Sequence, residues 1–215
     1  MASSAQTPAA DEPSDRPSDA VLPPGQYVPR GWPVLHYGPV PKFRPKDWDL
    51  RVIGMTADGG EYRWDWEAFQ ELPVTETVAD FHCVTKFSLP GNRWAGVACA
   101  ALAELAPPHP DVTHVMVWAD YGYSANLRLA DFLAAGTLLA THRGGERLTA
   151  DHGFPVRIVV PHLYAWKSVK WVRAVEYMIG DRRGFWEERG YHNVGEAWRE
   201  QRYSYQEDPG EAPPL

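Results

Sequence analysis

The chain has 215 residues, 44% of them hydrophobic, two cysteines and a formal net charge of -7. That length and apolar content support one substantial core, and no 18-residue apolar run is present to span a membrane. The acidic balance argues against a nucleic-acid partner, and two cysteines give no disulfide framework.

Residues 1–21 are rich in Ala, Ser, Pro and Asp and lack the cationic start and apolar stretch of a secretion signal. They are expected to form a disordered tail on a cytoplasmic protein. The domain is expected over residues 22–205, opening with Pro23, Pro24, Pro29, Pro33, Pro39, Pro41 and Pro45. Such a run excludes helix and predicts an extended arm wrapped on the domain. Apolar–polar alternation predicts a strand over residues 48–54. A helical turn follows over 64–70, capped near Asp65, and then a strand over 74–81. Helical spacing predicts a helix over 94–105, closed by Pro107 and Pro108, with Cys99 as a small core residue. Next come a strand over 112–119, a tight turn at 120–123, a short helix over 129–135 ended by Gly136, and a brief strand over 138–141. Strands over 156–160 and 169–178, a helical turn over 184–189 and a C-terminal tail over 206–215 complete the chain. Short strands and helices without a regular strand–helix–strand period predict an α+β fold of mixed sheets with short helices.

One segment carries the chemistry: Asp80-Phe81-His82-Cys83-Val84-Thr85-Lys86-Phe87-Ser88. It sets a thiol at the end of an apolar run beside a histidine, a hydroxyl and a cation. Those neighbours favour the thiolate, which is either a nucleophile or a metal ligand. Further on, the strand beginning at Arg157 runs into Tyr164-Ala165-Trp166-Lys167-Ser168-Val169-Lys170-Trp171, bringing Arg and Lys into a loop as a bound phosphate requires. Together they read as a site for a phosphate-bearing, sulfur-ligated metal cofactor. From the residues alone three roles for Cys83 stay open. It is an inert core residue, a hydrolase or transferase nucleophile using His82, His36 or His152 as base, or a ligand to a thiophilic metal. One cysteine is too few for structural zinc or an iron–sulfur cluster, so such a metal would need ligands from an organic cofactor. Ten Trp and ten Tyr also leave open a non-catalytic module with an aromatic-lined groove.

The run FHCVTKFSLPGNRWAGV, residues 81–97, resembles the molybdenum-ligating cysteine region of the sulfite oxidase family, in its short single-domain bacterial branch. The run HGFPVRIVVPHLYAWKSVKWV, residues 152–172, resembles that family's cofactor-clamping segment. The likeness extends from about Leu22 to Tyr203 and implies the sulfite oxidase molybdopterin-binding fold with a Mo-molybdopterin cofactor. It also implies oxygen-atom transfer on a small-molecule substrate such as sulfite or a sulfoxide. Full sulfite oxidases add dimerisation and haem domains that have no counterpart in this sequence, so a separate haem or flavin protein is implied as electron partner. By the resemblance Cys83 is the one protein sulfur on molybdenum, the pterin dithiolene supplying two more. His152, Arg157, Ser168, Val169 and Lys170 match the phosphate-holding positions, and His36 and Tyr37 the N-terminal contact to the pterin. His82 and Thr85, flanking Cys83, are expected to touch the cofactor, and Tyr123 to act as a catalytic phenol. Phe87 stands where the family has Trp, and Ala119 where sulfoxide-reducing relatives have Thr. Arg93, Arg128, Arg143 and Arg147 are candidate anion binders, with a solvated or salt-bridged surface role the commoner one for such residues. Lys167 is a further candidate for the phosphate.

Overall fold

The computed structural model describes residues 20–215; residues 1–19 of the N-terminal tail lie outside them. In chain order the elements are β1 (Asp49–Gly54), β2 (Tyr62–Asp65), α1 (Trp66–Gln70), β3 (Thr75–His82), β4 (Ser88–Ala98), α2 (Cys99–Leu105), β5 (His114–Ala119) and β6 (Ser124–Arg128). They continue with α3 (Leu129–Phe132), β7 (Leu138–Arg143), β8 (Glu146–Arg147), β9 (Arg157–Val159) and β10 (Val172–Met178). One five-stranded sheet has the order β2-β1-β10-β5-β6, with β1 and β10 parallel and the other pairs antiparallel. The other runs β3-β4-β7-β8, with β9 also paired to β7. The fold is therefore α+β with mixed sheets and short helices, as the sequence predicts. Among the described residues no helix is long and apolar enough to cross a membrane.

The central strand β10 buries Val172, Ala174, Val175 and Tyr177, a near-continuous apolar run suited to a strand covered on both faces. Leu50 and Val52 of β1, Val115 and Val117 of β5, Leu102 of α2, Phe132 of α3 and Ile158 of β9 complete the main core. A second cluster lies under the cysteine loop and joins Phe81, Phe87, Leu89, Trp94 and Val159.

Two local departures from the sequence reading have clear causes. The helix expected over 94–105 is only α2; Trp94 to Ala98 belongs to β4, paired on both sides with β3 and β7. Gly96 permits that pairing, because a Cβ there would collide with the Leu139 carbonyl. The strand expected from residue 169 starts at Val172, after Trp171 adopts a left-handed φ of 55°. Strand β6 was not anticipated. Asp65 does cap α1, its carboxylate accepting from the Ala68 amide.

The proline-rich arm carries no helix or strand before the single 3-10 turn at Pro45–Asp47. It is pinned at Tyr27, whose amide donates to Lys86 O at 2.9 Å and whose carbonyl accepts from Ser88 N at 2.8 Å. At the other terminus Arg183 makes a two-pronged pair with Glu207 at 3.0 and 2.6 Å and donates to Pro213 O at 2.8 Å. The segment read as a C-terminal tail is thus tied to the domain at two points.

Candidate functional site

A cavity of about 410 Å³ is walled by the arm, the cysteine loop, the turn between β5 and β6, Arg157, the loop leading into β10, and residues 185, 186 and 191. Both sheets contribute to it. Strand alternation decides which side chains of β3 reach it: Phe81 and Cys83 line the cavity, and His82 between them does not. The loop is closed by Cys83 N donating to Phe87 O (2.8 Å) and Lys86 N donating to Cys83 O (3.0 Å), with Lys86 at a left-handed φ of 76° and its side chain in solvent. Thr85 Oγ1 donates to Cys83 Sγ at 3.2 Å, and Gln26 of the arm donates to Cys83 O at 3.2 Å.

The contact expected of the His82 side chain is therefore not made. Its Nδ1 lies 2.8 Å from the buried Ser88 hydroxyl, and burial lowers its pKa, favouring the neutral ring. Its carbonyl instead accepts from Ala165 N at 2.7 Å, joining the cysteine loop to the lysine–serine loop.

One part of the cavity lining is cationic. Arg157 is 1% exposed; it donates to His152 O (3.1 Å) and Ser168 O (2.9 Å), while its Nε has no partner. Among the described residues no carboxylate pairs with it. Its pKa is pushed down to about 9, first by desolvation and then by the charge of Arg143. Lys170 also lines the cavity and donates to Asp151 O; desolvation, then Arg157, brings it down to about 7. Ser168 Oγ accepts from Val160 N at 3.0 Å, leaving its proton to donate, and the Val169 carbonyl accepts from Ile158 N at 2.9 Å, which fixes this loop on β9. A buried guanidinium without a counter-charge is expensive to hold, and a dianionic group between Arg157 and the half-buried Lys170 would supply what it lacks.

His152 does not line the cavity either. It stacks flat on Trp32, rings 3.8 Å apart at 6°, with a buried Nδ1 that has no partner. Desolvation, with Lys170, Arg157 and Arg143 nearby, brings its pKa to about 3. Trp32 carries the guanidinium of Arg143 at 4.5 Å and that of Arg157 at 5.3 Å. It is the principal site residue the sequence reading missed; one tryptophan in a proline-rich arm has no local pattern to mark it.

His36 and Tyr37 line the mouth from the arm, His36 edge-on to Trp171 at 5.4 Å and Tyr37 against Phe185 at 4.8 Å. Tyr123 lines the wall, but its hydroxyl donates to Trp166 O at 2.8 Å, so its proton is committed to the backbone. Burial first, then the charge of Glu187, raises its pKa well above the ordinary phenol value. Lys167, a candidate for the phosphate, is turned away: its ammonium is buried on Glu187 at 2.6 Å and on the Asn126 and Asn193 carbonyls at 2.8 and 2.6 Å. The four arginines suggested as anion binders do not line the cavity. Arg93 pairs with Glu76, Arg128 with Asp131, Arg143 donates to Asn92, and Arg147 lies over Phe154.

Nine of the expected residues are thus gathered in one cavity: His36, Tyr37, Cys83, Thr85, Tyr123, Arg157, Ser168, Val169 and Lys170. Among the described residues no group of three or more His, Cys, Asp or Glu is placed to hold a metal ion. A metal at Cys83 would take its other donors from an organic ligand, and Arg157, which has no carboxylate partner among the described residues, together with Lys170 suits a phosphate on that ligand.

Comparison with known proteins gives the same answer. The family described as "Oxidoreductase molybdopterin binding domain" matches residues 37–186. A Bacillus subtilis (strain 168) protein named "Uncharacterized oxidoreductase YuiH" is 40% identical over 185 residues, 86% of this chain and 92% of that protein. The catalytic subunit MsrP of the protein-methionine-sulfoxide reductase of Gluconobacter oxydans (strain 621H) is 28% identical over 63% of this chain and 48% of its own length. Mitochondrial sulfite oxidase of Macaca fascicularis is 29% identical over 71% of this chain, which spans 33% of that enzyme. The sulfane dehydrogenase SoxCD from Paracoccus pantotrophus superposes with a TM-score of 0.60 over 67% of this chain and 41% of its own, at 20% identity, a likeness of fold. With a cysteine loop facing a cationic pocket, and with this match in sequence, the chain belongs to the oxidoreductase molybdopterin-binding domain family, whose cofactor is Mo-molybdopterin.

Proposed function

We propose that this chain is a molybdenum-cofactor oxidoreductase that moves an oxygen atom to or from a small substrate such as sulfite or a sulfoxide. The observation that carries the reading is Arg157, a fully buried guanidinium with an unpartnered Nε, lining the same cavity as Cys83. When bound, molybdopterin supplies the redox chemistry through its metal. The protein's own groups do the rest. Arg157, Lys170 and the Ser168 hydroxyl hold the phosphate, and Cys83 provides the protein sulfur. Thr85, donating to Sγ, and Gln26, donating to the Cys83 carbonyl, fix that sulfur's position. The arm, through Trp32, His36 and Tyr37, covers the cavity and limits water.

A cysteine hydrolase would need an imidazole at the thiol. Here Sγ accepts a hydrogen bond from Thr85, His82 turns to Ser88, His152 lies under Trp32, and the His36 Nδ1 is 3.0 Å from Gly38 O with its ring edge-on to Trp171. A groove for sugar or peptide would give no reason for a buried guanidinium without counter-charge. A separate haem or flavin protein would exchange electrons with the enzyme, and two free cysteines accord with a reducing cytoplasm.

Metal analysis of protein made in a host that synthesises the cofactor tests the reading. About one molybdenum per chain is expected, with activity lost in Cys83→Ser. Metal-free protein with full activity would end the proposal.

A further inference from the structure

The cavity's charges are segregated. Its two basic side chains other than histidine, Arg157 and Lys170, sit at the part assigned to the phosphate. The outer wall is aromatic: Phe185 and Trp186 meet at 5.2 Å and 89°, and Trp186 and Tyr191 at 5.2 Å and 64°. The acidic group in the lining is Asp120, 3.1 Å from Arg173. The guanidinium of Arg189 rests on Phe185 at 3.8 Å, but Arg189 lines the neighbouring cleft instead of this cavity. A small oxyanion at the aromatic wall would be desolvated against rings, with no cation of the lining shown to pair with it there. A flat apolar group would find rings already arranged to receive it.

The corner is also held rigidly. Glu187, the residue after Trp186, is 0% exposed and accepts from Lys167 Nζ (2.6 Å) and from Trp166 Nε1 (2.9 Å). Phe185 N donates to Ser124 O at 2.9 Å, and Tyr191 N to Trp186 O at 3.1 Å. This gives the Lys167–Glu187 pair a purpose that phosphate binding does not.

From this arrangement we infer that the substrate is an uncharged organic oxide, a sulfoxide or amine N-oxide, bearing a flat apolar substituent selected by Phe185, Trp186 and Tyr191. The inference rests on the oxygen-transfer reading above. The reaction is a reduction: the S–O or N–O bond breaks, and the oxygen leaves as water with two protons from solvent. The two electrons come from a reduced haem or flavin protein, replaced in the assay by reduced benzyl viologen.

The molybdenum-loaded protein is assayed with methyl phenyl sulfoxide against dimethyl sulfoxide, with 4-phenylpyridine N-oxide against trimethylamine N-oxide, and with sulfite using ferricyanide as acceptor. Calorimetry compares binding of methyl phenyl sulfide, a product that does not turn over, with sulfate. The aryl oxides should exceed their methyl counterparts in kcat/KM by about tenfold or more, and Phe185→Ala should lower that ratio about tenfold. Trp186→Phe, which conserves an aromatic corner, should hold the ratio within about threefold. The sulfide should bind and sulfate should not, with molybdenum content and circular dichroism confirming that each variant is folded and loaded. Preferred turnover of sulfite, sulfate binding in place of the sulfide, or an aryl-to-methyl ratio unmoved in both Phe185→Ala and Tyr191→Ala would overturn the inference and leave oxygen transfer standing. Metal-free protein that turns over these substrates as fast as the molybdenum-loaded protein would overturn the oxygen-transfer reading and this inference with it.

Discussion

Replacing Arg157 with methionine separates what the guanidinium costs the empty protein from what it does for the loaded one. The side chain is 1% exposed, and its pKa is pressed to about 9, chiefly by desolvation. At about 1.4 kcal/mol for each tenfold change in proton affinity, that depression is an unfavourable burden on the order of 5 kcal/mol. The sign is fixed by linkage: a base whose folded pKa lies below its unfolded value binds fewer protons when folded. The burden is therefore complete below pH 9 and lifts only as pH rises above it. Against it stand the bonds to His152 O and Ser168 O, whose loss strands two buried carbonyls at about 1–3 kcal/mol each. These opposed terms nearly cancel, so cofactor-free Arg157→Met should lie within about 2 kcal/mol of the parent in urea denaturation. Cofactor retention should fall about a hundredfold, because a charge-assisted pairing worth about 1.5–3 kcal/mol is lost. Molybdenum and pterin measured after gel filtration read that loss. A variant that keeps its full molybdenum, or whose empty form loses well over about 3 kcal/mol, would show the guanidinium to be a structural tie and refute the reasoning.

Three further outcomes follow from the same geometry. His152, with its pKa near 3 against an ordinary 6.5, must gain a proton on acid unfolding, so cofactor-free protein loses stability as pH falls from 6.5 towards 3. His152→Phe, which keeps a ring on Trp32, should reduce that loss in denaturation curves at pH 4 and 7, and parallel curves would contradict the assignment. Lys167→Met strands buried Glu187 and should cost about 3–5 kcal/mol, with Lys167→Met/Glu187→Leu recovering most of it in thermal unfolding; a near-neutral single variant would count against the pair. Gly96→Ala drives a methyl into the Leu139 carbonyl and should disrupt β4–β7 pairing, whereas Gly91→Ala meets no atom within 4 Å and should cost only about 1 kcal/mol for its φ of +65°. Equal proteolytic sensitivity of the two variants would contradict that contrast.

How much of this was legible in the sequence depended on whether the governing contact was local. Cys83 and the Arg157-to-Lys170 segment could be read because each motif is contiguous. The cap at Asp65 and the strand entering Cys83 are likewise set by neighbouring residues. The fate of residues 94–98 was not legible: Trp94, Val97 and Ala98 fall at helical spacing, yet the backbone is claimed by β3 on one side and β7 on the other. Only the long-range fit of Gly96 against Leu139 decides it. Side-chain direction misled at His82, where adjacency to Cys83 suggested a shared role and strand alternation separated them. Lys167 and Lys170 look interchangeable in the sequence. Glu187, far along the chain, captures the first and leaves the second at the cavity. Trp32 joins Arg143, His152 and Arg157 only after the arm folds back, so no window of residues could reveal it.

The central claim is that Cys83 gives the metal its one protein sulfur while Arg157 and Lys170 hold the other end of the cofactor. Molybdenum-edge X-ray absorption on the loaded protein and on Cys83→Ser tests it most directly. The account predicts one sulfur neighbour fewer at molybdenum in the variant, with its pterin retained. An identical sulfur count in both proteins would contradict it.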